Sequence, residues 1–425
     1  MDKRTKALAA FLDASHSVYH AAAYLANTLE KEGYTRLSEG EKWALAPGGK
    51  YYLTRGGTAV LAFRVPEGKI GGFMMSASHS DRPTFKVKEN GELKGSYTRL
   101  AVERYGGMLI APWLDRPLSI AGRVLVETEN GVESRLVDID KDLLMIPNVA
   151  IHMNRSANEG YKWNPAVDTL PLLGGKNAAG KLQKLLEKAA SGKILGHDLY
   201  LYVRQKATVW GVDQEYISAA ALDDLQCAWG CTQGFLKAES AASIPVLCVF
   251  DSEEVGSSSV QGAASRLLET TLNRICGALK LDVDELLANS FMVSADNAHA
   301  VHPNHPELAD GNNAPIPGGG IVLKFNASQR YTTDGLSAAI FRKVCAKAGV
   351  PTQTYCNRAD IPGGSTLGNI SLSHVSVPSV DIGLAQLAMH SCYETAGVKD
   401  IGYLEDAMAA FYGSALLADG ENYTI

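Results

Sequence analysis

The chain has 425 residues, a mass of 45.4 kDa, a formal net charge of −6 and a sequence pI near 6.0. With 46% hydrophobic and 20% charged residues it has the composition of a folded globular protein, long enough for two or three domains of about 150 residues. The acidic balance leaves no basic face for a nucleic-acid partner, and no apolar run approaches the ~20 residues that cross a bilayer.

Residues 5–32, rich in Ala and Leu and ending at Gly33, are predicted to form an amphipathic helix. Asp13, His16 and His20 interrupt its apolar run, so it does not read as a secretory leader. Two β-like runs between Tyr51 and Val65 flank Arg55-Gly56-Gly57, and the apolar strand 72–78 then delivers His79 at its C-terminal end. From about residue 86 the texture changes to short strand-like pieces, at 118–127, 133–138 and 199–210. A loop rich in Asn, Gly and Pro (154–180) and a short helix (181–190) lie among them. The stretch reads as a smaller β-rich domain inserted into the first, dividing the chain into 1–86, 87–211 and 212–425.

From residue 213 strands and helices alternate. Helices are predicted at 222–237, 259–278, 333–348 and 405–417, and strands at 244–250, 291–294, 352–356 and 376–382. This rhythm implies an α/β fold with a mostly parallel sheet covered on both faces. The seven cysteines form no C-x-x-C pair and are odd in number, which fits reduced, buried thiols and a cytoplasmic setting. Cys227 and Cys231, spaced i, i+4, read as core residues.

Polar residues gather at the ends of these strands. His79-Ser80-Asp81 follows the strand 72–78, and a metal-bound imidazole commonly donates its other N–H to such a carboxylate. Taken alone, the tripeptide better suits a surface loop. Asp223-Asp224 opens a helix, where a carboxylate serves as readily for capping as for ligation. Asp251, Glu253 and Glu254 directly follow the apolar strand IPVLCVF, and like charges crowded at that edge need cations or donors to neutralise them. Asp296, His299 and His302 follow another strand, and Met389-His390-Ser391 comes late in the chain. Together His79, Asp223, Glu253, Glu254, Asp296 and His390 supply oxygen and imidazole ligands without thiolates, a set suited to Zn²⁺, Co²⁺ or Mn²⁺. Two cations sharing a carboxylate use about five protein ligands and leave one acidic residue as general base.

These stretches resemble the aspartyl aminopeptidase family of dinuclear zinc metallopeptidases, M18. The resemblance runs in order through SASHSDRPTFKVK (76–88), RYGGMLIAPWLDRPLSIAGRV (104–124), IPNVAIHMNR (146–155), ALDDL (221–225), VFDSEEVGSSSVQGA (249–263), SADNAHAVHPNHPE (294–307), GGGIVLKFNASQRYTTD (318–334), DIPGGSTLG (360–368) and MHSCYE (389–394). It implies a zinc-peptidase-like mixed sheet covered by helices and interrupted by a smaller β-rich assembly domain. It also implies His79 and His390 as terminal ligands, Asp223 as the bridge between two zinc ions, Glu254 and Asp296 as the other ligands, and Glu253 as general base, with Asp81 orienting His79. By the same resemblance His152 is lent to a neighbouring subunit's site, and Lys324 belongs to the substrate pocket. His299, His302 and Arg330 could add donors for an acidic substrate side chain, although Arg330 equally suits a structural ion pair.

The implied activity is removal of an N-terminal residue, preferably Asp or Glu, from small peptides by a dodecameric homo-oligomer. A dinuclear hydrolase of another small amide, and a non-catalytic assembly or cargo protein on the same fold, are the competing readings. One departure is specific to this chain: Arg82 stands where the family pattern S-H-x-D-S-P carries its second serine. The glycine runs 317–320 and 361–368 lack the phosphate-binding Gly-x-x-x-x-Gly-Lys-Ser/Thr pattern and read as tight loops near the site.

Overall fold

A computed structural model describes residues 1–425. Its central nine-stranded mixed sheet runs, edge to edge, through Thr35–Arg36, Lys50–Arg55, Ala59–Arg64, Ile244–Phe250, Phe73–His79, Phe291–Ala295, Ser379–Gly383, Ile321–Phe325 and Thr352–Cys356. The four strands Ile244–Phe250, Phe73–His79, Phe291–Ala295 and Ser379–Gly383 are parallel to one another, with Ile244 opposite Phe73 and Phe250 opposite His79. These strands are apolar and buried along their lengths, as expected when both sheet faces are covered. On one face pack the N-terminal helices with Leu222–Lys237, Gly335–Lys347 and Val398–Tyr412; on the other packs Leu267–Leu279.

The β-rich middle of the chain forms a separate six-stranded antiparallel sheet with its own core. Its order is Gly131–Asp138, Leu118–Thr128, Ile194–Val203, Thr84–Leu93, Tyr97–Tyr105 and Leu172–Gly175. The helix Lys181–Ala190 buries Leu182, Leu186 and Ala190 against it. A third, five-stranded sheet joins Thr208–Trp210, Tyr216–Ala219, Glu394–Gly397, Ala385–Leu387 and Ala298–His299. The fold is therefore α/β with an inserted β-rich unit, and no helix is long and apolar enough to cross a membrane.

Three helix readings change. The predicted helix 5–32 is two helices, Lys3–Ala14 and Val18–Lys31. The Ser15 hydroxyl bonds back to Phe11 O at 2.7 Å, and Ser17 caps the second helix by accepting from His20 N, so local serine bonds end one helix and start the next. The predicted helix 259–278 begins only at Leu267, because the serine-rich stretch before it folds back on itself, with Ala264 N donating to Ser257 O. The last helix is Val398–Tyr412 rather than 405–417. Its first turns contain Gly402, a poor helix former on propensity, whose carbonyl accepts from Arg4 at 2.9 Å.

Candidate metal centre

The carboxyl ends of the parallel strands share one edge of the central sheet, the edge where open α/β sheets bind ligands. His79 ends its strand there. Glu253 and Glu254 form a short 3₁₀ turn just after Phe250, and Asp296 follows Ala295. Asp223 and Asp224 sit at the non-helical start of the Leu222–Lys237 helix. His390 comes from the loop between Ala385–Leu387 and Glu394–Gly397.

These side chains converge. His79 Nε2 lies 3.6 Å from Asp223 Oδ1, and His390 Nε2 lies 3.5 Å from Asp223 Oδ2 and 3.4 Å from Glu254 Oε2. Asp223 thus stands between the two imidazoles. Ligand atoms of His79, Asp223 and Glu254 lie within 4.8 Å of one another, as do those of Asp223, Asp224 and Asp296. Asp223 Oδ1, Asp224 Oδ1 and Glu254 Oε1 are buried and accept no hydrogen bond. Orphaned anionic oxygens in a protein interior are costly unless a cation satisfies them, so this donor set fits a divalent-metal centre.

The supporting shell fixes the geometry. Asp81 meets His79 Nδ1 through Oδ1 at 3.3 Å and through its carbonyl at 3.2 Å. The same carboxylate accepts from Glu253 N and Glu254 N, both at 3.1 Å, and from Tyr105 OH at 2.8 Å. Asp81 therefore anchors both the imidazole and the acidic turn. Glu394 accepts from Asp223 N at 3.0 Å and His390 N at 2.8 Å. Asn297 donates to Leu222 O at 2.9 Å and Gln386 Oε1 at 2.8 Å, joining three site segments. A Cβ at Gly383 would stand 2.1 Å from Asp296 O, so only glycine lets the neighbouring strand approach there.

Burial governs the protonation of these groups. It pushes the Glu253 and Glu394 carboxyls up to about 8, with Asp223 adding to each, and Asp296 to about 6. Burial also raises Glu254 and Asp224 well above the usual carboxylate range. Burial opposes ionisation at Asp223 as well, but His390 and His79 hold it below that range.

A cavity of ≈130 Å³ opens on this cluster, lined by Glu253, His299, Lys324 and Tyr331, and closed by Gly364–Thr366 and Met389. Lys324 is 2% exposed; its Nζ donates to Asp296 O at 2.7 Å and lies 3.6 Å from Asp296 Oδ2. A groove of ≈420 Å³ shares His299, Tyr355, Gly364 and Met389 with that cavity and also takes in His302. Arg330 stays on the surface, with one donor 3.4 Å from Gly363 O. His152 is exposed on the 147–164 loop and does not line its own chain's cavity.

Glu394, Asn297 and Tyr105 enter the site without having been singled out in the sequence, and Asp224, named there only beside Asp223, was not carried into the ligand set. The adjacency of Asp224 to Asp223 was the available signal; the other three owe their roles to distant contacts.

The family described as Aminopeptidase I zinc metalloprotease (M18) matches residues 11–412. The chain is 41% identical over 418 residues to a probable M18 family aminopeptidase 2 of Clostridium novyi (strain NT), covering 95% of this chain and 96% of that one. Among solved structures it resembles a chain of the Ape4 and Nbr1 complex, with a TM-score of 0.93, 34% identity and coverage of 96% and 85% of the two chains. It also resembles the S. cerevisiae mApe1 dodecamer, with a TM-score of 0.85, 27% identity and 96% of each chain covered.

Proposed function

The chain belongs to the M18 family and is an aminopeptidase of its zinc metalloprotease class, and on that premise we propose that it removes N-terminal residues from small peptides, with a preference for Asp or Glu. The observation that carries this reading is the buried cluster in which three carboxylate oxygens have no donor while two imidazoles flank Asp223. His79, Asp223, Glu254, Asp296 and His390 would hold two divalent cations, zinc by family, with Co²⁺ or Mn²⁺ as chemically similar occupants.

When bound, the cations supply Lewis acidity that polarises the scissile carbonyl and lowers the pKa of water. Glu253 takes the proton from the attacking water and returns it to the leaving amine. Burial suits it to the task, because it raises the proton affinity of the Glu253 carboxylate above that of an exposed one and so favours its taking the proton from water. Asp81 is the positioning residue, since it fixes both His79 and the backbone of Glu253. Lys324 and His299, which both line the cavity, are the cation and the donor assigned to an acidic substrate side chain.

The residues 87–211 are assigned as an assembly domain between catalytic parts 1–86 and 212–425, a reading supported by the separate core of the six-stranded sheet. Likeness to the S. cerevisiae mApe1 dodecamer supports a homo-oligomer of that size, in which His152 would reach a neighbouring subunit's site. Seven free cysteines, six of them buried, suit a reducing cytoplasm.

The test is Glu253→Gln measured on aminoacyl substrates with metal analysis of the same sample. Turnover should fall roughly 10²–10⁴-fold while metal content holds. Retained turnover would remove Glu253 from its role. Equal rates on Leu, Lys and Asp substrates would remove the acidic preference, and hydrolysis of N-acylated substrates would point to a different amide.

A further inference from the structure

One fully buried carboxylate near the substrate cavity takes no part in the metal cluster. Asp381, on the strand Ser379–Gly383, is paired in register with Ser294 of the strand Phe291–Ala295. Its Oδ1 accepts from Ser294 Oγ at 2.6 Å and from Thr366 Oγ1 at 2.7 Å. Its Oδ2 accepts from Thr332 N at 2.5 Å and from Thr332 Oγ1 at 2.8 Å. Hydroxyl and amide donors thus fill both oxygens, and they come from three segments far apart in the chain. Hydrogen bonds to an ionised acceptor are the strong ones, so Asp381 ties those segments together.

Two of the three segments are walls of the substrate cavity. Tyr331, next to Thr332, lines it with its ring centroid 5.2 Å from Lys324 Nζ. Gly364, Ser365 and Thr366 line it as a strap that leads into the short helix Leu367–Ser371. The strap has little else to hold it. No backbone–backbone hydrogen bond involves Pro362–Thr366. Arg330 reaches Gly363 O only at 3.4 Å on the surface, and Ser365 Oγ meets Asn369 Oδ1 at 3.2 Å in the open. The Thr366 hydroxyl on Asp381 is its one fully buried tie between separate segments. Just beyond, a Cβ at Gly368 would stand 2.7 Å from the Ser294 side chain, so the strap's end is seated as deeply as glycine allows.

We propose that Asp381 is a positioning residue for substrate binding: through Thr366 and Thr332 it holds the Gly364–Thr366 strap and Tyr331 in register as walls of the pocket for the N-terminal residue. This rests on the aminopeptidase reading of the site. A wall without ladder bonds must be ordered by something else, and a wall ordered in advance spares the substrate that entropic cost on binding. Asp381 does not line the cavity, so it acts only through the residues it holds. The strap stands beside the bound residue in the ground state and in the transition state alike. Loosening it therefore weakens both equally, which raises KM and leaves kcat in place.

Asp381→Ala would strip every one of these donors of its acceptor and endanger the fold, so the probe is Thr366→Val. That change keeps the side chain's shape and leaves the Ser294 and Thr332 bonds intact, and Thr366→Ser restores the hydroxyl. The metal-loaded full-length proteins are assayed on the aminoacyl substrate that the parent turns over fastest. They are also nicked with a broad-specificity protease, and the cuts are mapped by mass spectrometry. Thr366→Val should raise KM about tenfold, hold kcat within about twofold and be cut severalfold faster within residues 357–366, while Thr366→Ser matches the parent. An unchanged KM in Thr366→Val, a fall in kcat alone, cutting at the parent's rate, or a Thr366→Ser protein as impaired as Thr366→Val would each overturn the proposal. A parent that turns over no aminoacyl substrate would overturn the aminopeptidase reading instead, and the cutting rates would still decide whether the strap is tethered at Asp381.

Discussion

The two large sheets bury carboxylates in opposite ways. In the six-stranded sheet Asp198 faces Lys86 and Arg123, both at 2.9 Å, and accepts from Tyr19. Asp138 meets His16 at 2.6 Å and Tyr202 at 2.8 Å. Burial works against both, yet these partners hold both carboxyls below their ordinary range. At the edge of the nine-stranded sheet, Glu253, Glu254 and Asp224 lie around Asp223 and His79 with no arginine or lysine paired to them, and burial prevails. One region completes its own electrostatics, and the other leaves them open for an ion to complete. Uncompensated burial, rather than the presence of acidic residues, marks the working site.

The sharpest break of this contrast is Glu253→Gln, whose loss of turnover by roughly 10²–10⁴-fold has no counterpart expected at Asp198. Next comes metal itself. Stripping the protein with a chelator and returning Zn²⁺ should raise the unfolding midpoint, by about 2.7 kcal/mol of stability at a hundredfold excess over Kd. The gain should vanish in Asp223→Asn and persist in Asp198→Asn. Asp198→Asn should in turn cost about 1–2 kcal/mol in denaturant unfolding, since it loosens two ion pairs on a partly exposed side chain, while kcat per folded molecule holds.

The smallest effect is at His20, beside the same second sheet. Burial lowers its pKa from 6.5 to about 4, with Asp138 opposing. The unfolded chain therefore binds the proton first as pH falls, and stability drops from about pH 6.5 downward until the folded-state value is passed. By pH 6 the loss should be about 1 kcal/mol, and His20→Gln should flatten that part of the stability profile.

Periodicity made much of the fold legible. The strand Ile244–Phe250, the helices Leu222–Lys237 and Lys181–Ala190, and the strand Thr352–Cys356 fall on the residues read from sequence, because their apolar spacing and flanking breakers are local. The strands Thr84–Leu93 and Tyr97–Tyr105 gave no comparable signal: Lys88, Glu89 and Asn90 leave the first exposed through its middle, and pairing rather than pattern makes it a strand. The site divides the same way. His79, Asp223, Glu253, Glu254, Asp296 and His390 stand out as chemistry at strand and helix ends, and the fold brings them together. Glu394 and Asn297 look like ordinary polar residues in the chain. They become supports only because the five-stranded sheet and the Leu222–Lys237 helix carry them to backbone groups 75 to 171 residues away.

The 147–164 loop that carries His152 has one more consequence. It exposes Val149, Ile151 and Met153 and is held by short turns within itself. The strands before and after it are interleaved: Tyr97–Tyr105 pairs with Leu172–Gly175, and Leu118–Thr128 with Ile194–Val203. A backbone cut between Asn154 and Lys162 would therefore leave two fragments that stay zipped together. The same place would accept new chain ends in a circular permutant without unpicking a ladder.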